Sequence, residues 1–489
     1  MYHSNAIAKP QEEPITDLCF TPAYELASSI RSKQLSPVEL MEACLKRIEE
    51  TNPVFNAFIA MRADEAMAEA RQTADRIARG EEVGPLTGLP FGVKELEDVE
   101  GFPSTHASLP FRDNYPERDS VQVERLKKAG AIVLGKTNSP EFGYTAFTKN
   151  LIWGVTRNPW NPERTPGGSS GGSSAAVTAG QVPFCTGSDG GGSVRIPACW
   201  AGCFGLKPSF GRIPMGPFQM LGWADTSVFG PLTRTVRDAA LYMDCVVGTH
   251  ESDPNSLPHP GYSYVQVLER LPKDLRIAWS PDLGYAPVEP DILREATAAA
   301  RTFEALGYKI DEVGKIFDDP GLIWGHLSAA QTYATIHDKI ETHREEFGHA
   351  FLAGVLPAKG ITPEQFGAAQ RVRARLVNQL WEFFERYDLL LTPTLPIEAI
   401  EARGRWPDKI NGRRIENPLH VVAFTYPFNL SGHPACSVRA GFSDNGLPVG
   451  LQIVAPRHRD DLVLQAAYAY EQARPWNDKW PRQVPAFAG

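Results

Sequence analysis

The sequence has no hydrophobic run long enough to cross a membrane, and its seven cysteines form no C-x-x-C pair. Residues 1–14, MYHSNAIAKPQEEP, lack the basic start and the apolar segment of a signal peptide. An odd number of irregularly spaced cysteines, with no such segment, is typical of reduced thiols in a cytosolic protein. We therefore expect a cytoplasmic protein with no membrane contact and no disulfide framework.

The chain also has no excess of positive charge. It carries 49 Lys and Arg against 58 Asp and Glu, a formal net charge of −9, which argues against a nucleic-acid-binding surface. Its 11 histidines are scattered, with no H-E-x-x-H and no paired ligand spacing, so we expect neither a metal nor a cofactor. With 42% hydrophobic and 22% charged residues, the composition is that of a globular protein with a large core.

Residues 36–50 carry the clearest helix pattern. Ser36 suits the N-cap, and Glu39, three residues further on, completes a capping box. The pair Asn52-Pro53 is expected to end this helix.

A helix followed directly by a short buried strand indicates an α/β fold. Residues 119–130 have a helical pattern, and the apolar run 131–134 comes straight after it. The abundance of glycine (42) and proline (41) favours many turns over a simple helical bundle. Periodicity predicts further helices over 60–78, 291–306, 363–387 and 460–472, and further strands over 276–279, 388–392 and 449–454.

Two glycine-rich clusters lie at residues 166–174 and 187–193. Composition alone would make the first a flexible linker, but a small-residue helix pattern follows at once, so we expect loops in which the backbone approaches something closely. Neither cluster has a P-loop or a G-x-G-x-x-G opening after a strand, which argues against nucleotide binding. Residues 167–171 satisfy G-x-S-x-G, but prolines precede them where a nucleophile elbow needs a strand.

Lys94 ends a short apolar segment that includes Phe91 and Val93. A single lysine is ordinarily a solvated surface charge. Here the apolar neighbours favour burial, which disfavours the ammonium form and lowers the pKa. An ordinary lysine is only about 0.1% neutral at physiological pH, so a lysine general base needs a pKa lower by roughly 3 units, at a cost of about 4 kcal/mol.

Motifs along nearly the whole chain resemble those of the amidase signature family of serine hydrolases. They lie in residues 88–94, 134–138, 140–142, 157–160, 166–173, 187–197, 205–208, 230–232, 429–434 and 446–452. The resemblance spans about residues 20–475. It implies a single α/β domain over residues 1–489, with a central mixed, twisted β-sheet covered by many helices. Its motif core would lie at about 80–235, and a variable, mostly helical cover at about 316–385.

The same resemblance implies a Ser–cisSer–Lys triad. The family's motifs place the nucleophile at Ser193, the bridging serine at Ser169 and the base at Lys94. In that mechanism Ser169, held in the family by a cis peptide, accepts the proton of Ser193 and passes its own to neutral Lys94. An acyl-enzyme on Ser193 forms and is then hydrolysed by water.

The loop before the nucleophile has a separate implied role, the stabilisation of a developing oxyanion by backbone N–H groups. The expected donors are the N–H groups of Gly190, Gly191, Gly192 and Ser193. The expected supporting residues are Asp189 and Arg195, as an ion pair that holds the loop, and Ser170, which hydrogen-bonds the relay.

Substrate-binding residues lie mainly outside the motifs. Phe142, Gly143 and Tyr144 align with a stretch that lines the acyl side in relatives, and their aromatic rings predict an apolar or aryl group there. The alternative for these rings is ordinary core packing. We also expect the apolar loop 217–223 to form part of the pocket wall. The resemblance implies a small-molecule carboxamide as the substrate, with aryl amides and carbamates included.

Two other functions stay open. One is the A subunit of a tRNA-dependent amidotransferase, a glutaminase that passes ammonia onward. Ile196 stands where those subunits usually carry Gln, and residues 227–230 lack their Asp-Gln, which favours a stand-alone hydrolase. The other is a catalytically silent binding protein, against which the presence of all three triad residues argues. A homodimer, frequent among relatives, also stays open.

Overall fold

An eleven-stranded sheet forms the centre of the protein in a computed structural model, which describes residues 15–217 and 225–487. The strands along the chain are β1 (Phe58–Met61), β2 (Pro90–Lys94), β3 (Ile132–Thr137), β4 (Lys149–Asn150), β5 (Gly154–Val155), β6 (Phe184–Asp189), β7 (Phe204–Lys207), β8 (Val228–Thr233), β9 (Ile277–Trp279), β10 (Ile310–Glu312), β11 (Leu389–Pro393), β12 (Lys409–Ile410), β13 (Arg413–Arg414), β14 (Ala435–Phe442) and β15 (Pro448–Val454). The spatial order of the large sheet is β1-β3-β2-β6-β8-β7-β14-β15-β11-β9-β10.

The large sheet mixes parallel and antiparallel pairs. Strand β2 is parallel to β3 and to β6, and β9 is parallel to β10 and β11. The neighbours between these two parallel groups are antiparallel, from β6 and β8 to β15 and β11. This single large domain with a central mixed sheet confirms the predicted fold class.

Helices surround the sheet. They are α1 (Ile15–Phe20), α2 (Ala23–Arg31), α3 (Pro37–Phe55), α4 (Ala63–Ala78), α5 (Val121–Lys128), α6 (Gly171–Thr178), α7 (Arg195–Ala201), α8 (Val236–Val246), α9 (Tyr264–Val267), α10 (Pro290–Ala300), α11 (Thr302–Ala305), α12 (Gly321–Thr342), α13 (His349–Val355), α14 (Pro363–Arg386), α15 (Tyr426–Leu430) and α16 (Asp460–Ala473). Residues 316–385 are thus largely helical, through α12, α13 and α14.

Helix α3 begins as predicted but ends later. Ser36 caps it, and the capping box with Glu39 is present. The predicted end at Asn52-Pro53 is wrong, because the helix continues through Pro53 to Phe55. A proline in the last turn removes only one helical hydrogen bond, and the left-handed residue Asn56 then closes the helix at the carbonyl of Asn52.

Two other predicted boundaries differ from the structure. The helix predicted over 60–78 starts at Ala63, because the residues before it form β1 at the edge of the sheet. The helix predicted over 291–306 is divided into α10 and α11. The small-residue helix expected after residue 174 begins four residues earlier, since α6 starts at Gly171 and takes in the end of the first glycine-rich cluster. The remaining predicted helices and strands are present, with ends shifted by up to three residues.

The sheet register brings the ends of two strands together. Strands β2 and β6 are parallel neighbours that pair Phe91 with Phe184. Strand β2 ends at Lys94 and β6 ends at Asp189. Since the carboxyl ends of parallel strands meet at one edge of a sheet, Lys94 lies beside the glycine-rich loop that follows Asp189.

Some expectations fall outside the described ranges. They concern residues 1–14, in which no signal peptide is expected, and all of the 217–223 loop except Pro217. Among the helices that the structure describes, none has the length and apolar character needed to span a bilayer. In the same ranges, no three His, Cys, Asp or Glu side chains are grouped so that they could hold a metal ion.

Candidate active site

A cavity of about 640 Å³ lies beside the loops that follow β2 and β6. Its serine- and glycine-rich side consists of Gly168, Ser169, Ser188, Gly190, Gly191 and Ser193. Much of the remaining wall comes from the helical region 316–385, including Leu322, Trp324, Ala329, Ala350, Ala353 and Ile361. The lining is mainly apolar, and the polar side chains outside the serine side include Thr145, Ser227, His326 and Ser328.

Lys94 lies behind this serine side and is 0% exposed. Its Nζ donates to Ser169 Oγ at 2.7 Å, and to Ser188 Oγ at 2.9 Å and the Ser188 carbonyl at 3.2 Å. Burial lowers the pKa of Lys94 to about 7, against the opposing attraction of nearby carboxylates. The predicted burial of Lys94 is confirmed, and a pKa near 7 allows a substantial fraction of this amine to be neutral at physiological pH.

Ser169 and Ser193 lie on two adjacent loops. The peptide bond between Gly168 and Ser169 is cis. The backbone N–H of Ser170 donates to the Ser193 carbonyl at 3.1 Å, which ties the first serine loop to the second. Ser169 is only 2% exposed, whereas Ser193 is half-buried and lines the cavity. Both residues line the cavity, and Ser193 is the more exposed of the two.

The carbonyl groups of the loop 189–193 are all held by donors from outside the loop or from the helix that follows it. Asp189 O accepts from Asn429 Nδ2 at 2.7 Å, Gly190 O from Trp324 Nε1 at 2.9 Å, Gly191 O from Thr425 Oγ1 at 2.6 Å, Gly192 O from Ile196 N at 2.7 Å and Ser193 O from Ser170 N at 3.1 Å. In a planar trans peptide the N–H points away from the preceding carbonyl oxygen. Anchoring the carbonyl groups therefore fixes the directions of the following N–H groups.

The structure corrects one expected oxyanion donor. The N–H of Gly192 donates to Asp189 Oδ1 at 2.7 Å and is turned toward that carboxylate. The loop needs this bond because Asp189 is fully buried and its charge must be compensated by hydrogen bonds. The N–H groups of Gly190, Gly191 and Ser193 have no acceptor among the described residues, and these three residues line the cavity.

The predicted ion pair between Asp189 and Arg195 is confirmed. The guanidinium contacts both carboxylate oxygens, at 2.9 Å and 3.0 Å, and both side chains are 0% exposed. Although burial acts in the opposite direction, Arg195 holds the pKa of Asp189 well below its usual range. Arg195 also donates to Thr425 O and Gln452 Oε1, so the loop is attached to the C-terminal part of the domain.

Ser170 is linked to Lys94 only through a shared hydrogen-bond acceptor. Its hydroxyl donates to the Ser188 carbonyl at 3.3 Å, the same oxygen that accepts from Lys94. The contact of Lys94 with the Ser188 hydroxyl was missed at the level of sequence, although Ser188 lies within a matched motif. Trp324 and Thr425 were missed too, and nothing in their local sequence points to the glycine loop.

The structure places Phe142, Gly143 and Tyr144 in the cavity wall. The Phe142 ring is nevertheless 92% covered, since its exposure is 8%, and it stacks on Phe351 at 5.0 Å in an aromatic cluster. Gly143 lies against Ser169, so that a Cβ there would be 3.1 Å from Ser169 Oγ. Phe142 thus packs mainly in this cluster, as the core-packing alternative predicts, and also contributes to the cavity wall.

The chain is similar over nearly its whole length to acylamidases and to an amidotransferase subunit. It is 38% identical to an acylamidase of Rhodococcus erythropolis over 464 residues, which are 94% of this chain and 96% of that protein. It is 33% identical to the A subunit of the glutamyl-tRNA(Gln) amidotransferase of Thermosynechococcus vestitus, over 94% of this chain and 99% of that protein. Among solved structures, a bacterial aryl acylamidase matches with a TM-score of 0.89 and 33% identity, over 96% of this chain and 99% of that one.

A second solved structure, 6-aminohexanoate cyclic dimer hydrolase, matches with a TM-score of 0.85 and 31% identity, over 95% of this chain and 99% of that one. The fold and these similarities define an enzyme that hydrolyses the C–N bonds of amides. The sequence pattern of the Amidase family matches residues 39–464. The chain belongs to this family, that of the amidase signature enzymes.

We predict that Gly191→Ala lowers kcat/KM for an amide by about 100-fold or more. A Cβ at position 191 would lie 2.2 Å from Cζ2 of Trp324, so the loop or the indole has to move. A displacement of about 1 Å at a reacting centre costs on the order of 10²-fold in rate. The measurement is steady-state kinetics on purified enzyme, with thermal unfolding to verify that the variant is folded.

Gly314→Ala is the matched control, because a Cβ there meets no atom within 4 Å. It should retain the parent activity. Full activity in folded Gly191→Ala would contradict the close packing of the loop described above.

Proposed function

We propose that this enzyme hydrolyses small carboxamides through an acyl-enzyme on Ser193, with Lys94 and Ser169 as the proton relay. The observation that carries the proposal is the 2.7 Å contact between the Nζ of fully buried Lys94 and Ser169 Oγ. A buried amine with a lowered pKa next to a hydroxyl is the arrangement that a lysine general base requires.

In acylation, Ser193 Oγ attacks the carbonyl carbon of the amide. Its proton goes to Ser169 Oγ, which gives its own proton to neutral Lys94. The tetrahedral intermediate then collapses, the C–N bond breaks, and a proton returns from Lys94 through Ser169 to the departing nitrogen. The return of the proton matters because an unprotonated amine is a poor leaving group.

In deacylation, water takes the place of the amine. Lys94, again neutral, accepts the proton of the attacking water through Ser169, and the ester bond to Ser193 Oγ breaks. The proton returns to Ser193, the carboxylic acid leaves, and the enzyme is restored. Each proton that Lys94 accepts is given back within the same half-reaction.

The oxyanion of each tetrahedral intermediate is stabilised by the N–H groups of Gly190, Gly191 and Ser193. Their support comes from geometry: the peptide groups are held at their carbonyl oxygens, and the N–H groups have no acceptor among the described residues. Preorganised donors of this kind cost no reorganisation during the reaction, and the loss of one typically lowers the rate by about 10²–10³-fold.

The substrate class follows from the cavity. Its volume of about 640 Å³ and its apolar lining suit an aryl or alkyl group on either side of the amide. Ile196, Phe147 and Val422 contribute to this lining. The similarity to an acylamidase and to an aryl acylamidase supports acylated arylamines and aliphatic amides as substrates.

The A subunit of a glutamyl-tRNA(Gln) amidotransferase is the second candidate, because one such subunit is 35% identical to this chain over 98% of its own length. Against it, the cavity side of the loop presents Ile196, a hydrocarbon side chain that cannot hydrogen-bond a glutamine substrate. We therefore favour simple amides over glutamine as the substrates of this enzyme.

A cytoplasmic location is part of the proposal. All seven cysteines are free thiols, and six of them are buried. Unpaired cysteines in this number are typical of a reducing compartment.

We predict that a fluorophosphonate labels Ser193 and that Ser193→Ala abolishes labelling and lowers the amidase activity by at least about 10³-fold, because the variant has lost its nucleophile. Peptide mapping by mass spectrometry identifies the labelled residue. Ser28→Ala is the control, since this serine is exposed on α2 and should leave labelling and activity unchanged. Labelling of Ser169 instead, or of no serine, would reject the assignment.

We predict that kcat/KM for an amide falls about tenfold per pH unit below a pKa near 7, because protonated Lys94 cannot accept a proton. Above that pH the rate should reach a plateau. Burial also lowers the pKa of a second lysine, Lys207, to about 7. The pH profile of the residual activity of Lys94→Ala tests whether Lys94 is the group that titrates. In this variant the fall in kcat/KM below pH 7 should be absent. If the fall persists, Lys207 or another group is responsible for it.

We predict that a panel of anilides and alkyl amides is hydrolysed with kcat/KM at least about tenfold above that for glutamine. The reason is that the lining is mainly apolar and, among the residues that the structure describes, contains no Asp, Glu, Lys or Arg, so the charged amino and carboxylate groups of glutamine would be desolvated without an ion-pair partner. Carbamates of the same size complete the panel. Glutamine hydrolysis that requires copurifying subunits would favour the amidotransferase instead.

A further inference from the structure

Trp324 joins the helical cover to the glycine loop. It lies in the first turn of α12, lines the cavity, and donates from Nε1 to the carbonyl oxygen of Gly190 at 2.9 Å. The two residues are 134 positions apart. The indole therefore contacts both the space that a substrate would occupy and the backbone next to Ser193.

The hydrogen bond to Gly190 O acts on a single peptide group. The carbonyl of Gly190 and the N–H of Gly191 belong to the same peptide plane and point in opposite directions. By holding the oxygen, Trp324 sets the direction of the Gly191 N–H, which has no acceptor among the described residues. The neighbouring carbonyl groups accept hydrogen bonds from other donors, so the orientation of the Gly190–Gly191 peptide group depends on the indole.

The packing leaves the indole little freedom to move. Its ring stacks on Tyr426, with centroids 5.7 Å apart and planes 20° apart. Tyr426 in turn donates its hydroxyl to Asp319 Oδ1 at 2.7 Å, two residues before α12 begins. On the other side the indole lies so close to Gly191 that no side chain would fit there. The position of the N–H donor is thereby fixed by the fold.

We propose that Trp324 is a positioning residue for amide hydrolysis, which orients the Gly191 N–H toward the developing oxyanion. This inference rests on the proposed function, because it requires attack at Ser193. It goes beyond that function by assigning part of the transition-state stabilisation to the cover helix. The same helix thus shapes the substrate cavity and sets one oxyanion donor.

The test is Trp324→Phe, which keeps an aromatic ring against Tyr426 and the cavity but removes the N–H donor. We expect kcat for an anilide to fall about 10-fold, less than for a deleted oxyanion donor because the Gly191 N–H is still present. KM should change by less than about 2-fold. The inhibition constant of a trifluoromethyl ketone that forms a tetrahedral adduct should rise by the same factor as kcat/KM falls, since such an adduct uses the oxyanion contacts.

Rates are expressed per active site titrated with fluorophosphonate, so a poorly folded fraction does not enter kcat. Trp381→Phe is the matched control: this tryptophan is 58% exposed on α14 and should leave all constants unchanged. An unchanged kcat in Trp324→Phe, or a loss that lies only in KM, would show that the indole is merely a cavity wall and would overturn the inference. If the parent enzyme is not labelled at Ser193, the proposed function itself fails, which is a distinct result.

Discussion

The carboxylate of Asp189 holds together the part of the chain on which the site depends. It ends β6, is fully buried, and accepts hydrogen bonds from the N–H groups of Gly192 and Val194 and from Arg195. A buried charge is tolerated only when it is paired and hydrogen-bonded. Here most of the groups that compensate the charge belong to the loop around Ser193 or to the first residue of α7, and Asn429 Nδ2 donates from the C-terminal part at 2.9 Å. Satisfying the carboxylate therefore also fixes the course of that loop. Removing the carboxylate would leave the Arg195 guanidinium buried without its counter-charge.

Lys94, unlike Asp189, is buried without direct contact to a charged group in the described part of the chain. Its three hydrogen-bond acceptors are two hydroxyls and a carbonyl, none of them a carboxylate. Burial therefore lowers its pKa, and the more distant charges of Asp189, Glu97 and Glu95 only reduce the shift. A direct carboxylate partner would keep the amine protonated and unable to act as a base. The polar but uncharged surroundings are what make a proton relay through Ser169 chemically reasonable.

Three distant parts of the chain meet at the glycine loop. The loop follows the central strand β6, Trp324 comes from the helical cover, and Thr425 and Asn429 come from the C-terminal part. Each anchors a carbonyl oxygen, so the directions of the N–H groups are a property of the whole domain. The helical region 316–385, which forms much of the cavity wall, is therefore in contact with the backbone next to Ser193.

Local patterns in the sequence determined the capping box at Ser36, the α/β order of elements, the burial of Lys94 and the pairing of Asp189 with Arg195. These depend on neighbours within a few residues or on motifs that recur as a unit. The same local reasoning ended α3 too early at Pro53, because a single proline in a last turn costs only one hydrogen bond.

The sequence also assigned an N–H donor to Gly192 that the Asp189 carboxylate in fact takes. Only the tertiary structure decided which loop N–H groups stay available, since the carbonyl anchors Trp324 and Thr425 lie 134 and 234 positions away from their partners. Sequence periodicity reports which side of an element is buried. The direction of a peptide group in a glycine loop, where nearly every backbone conformation is accessible, is set only by the residues that pack against it.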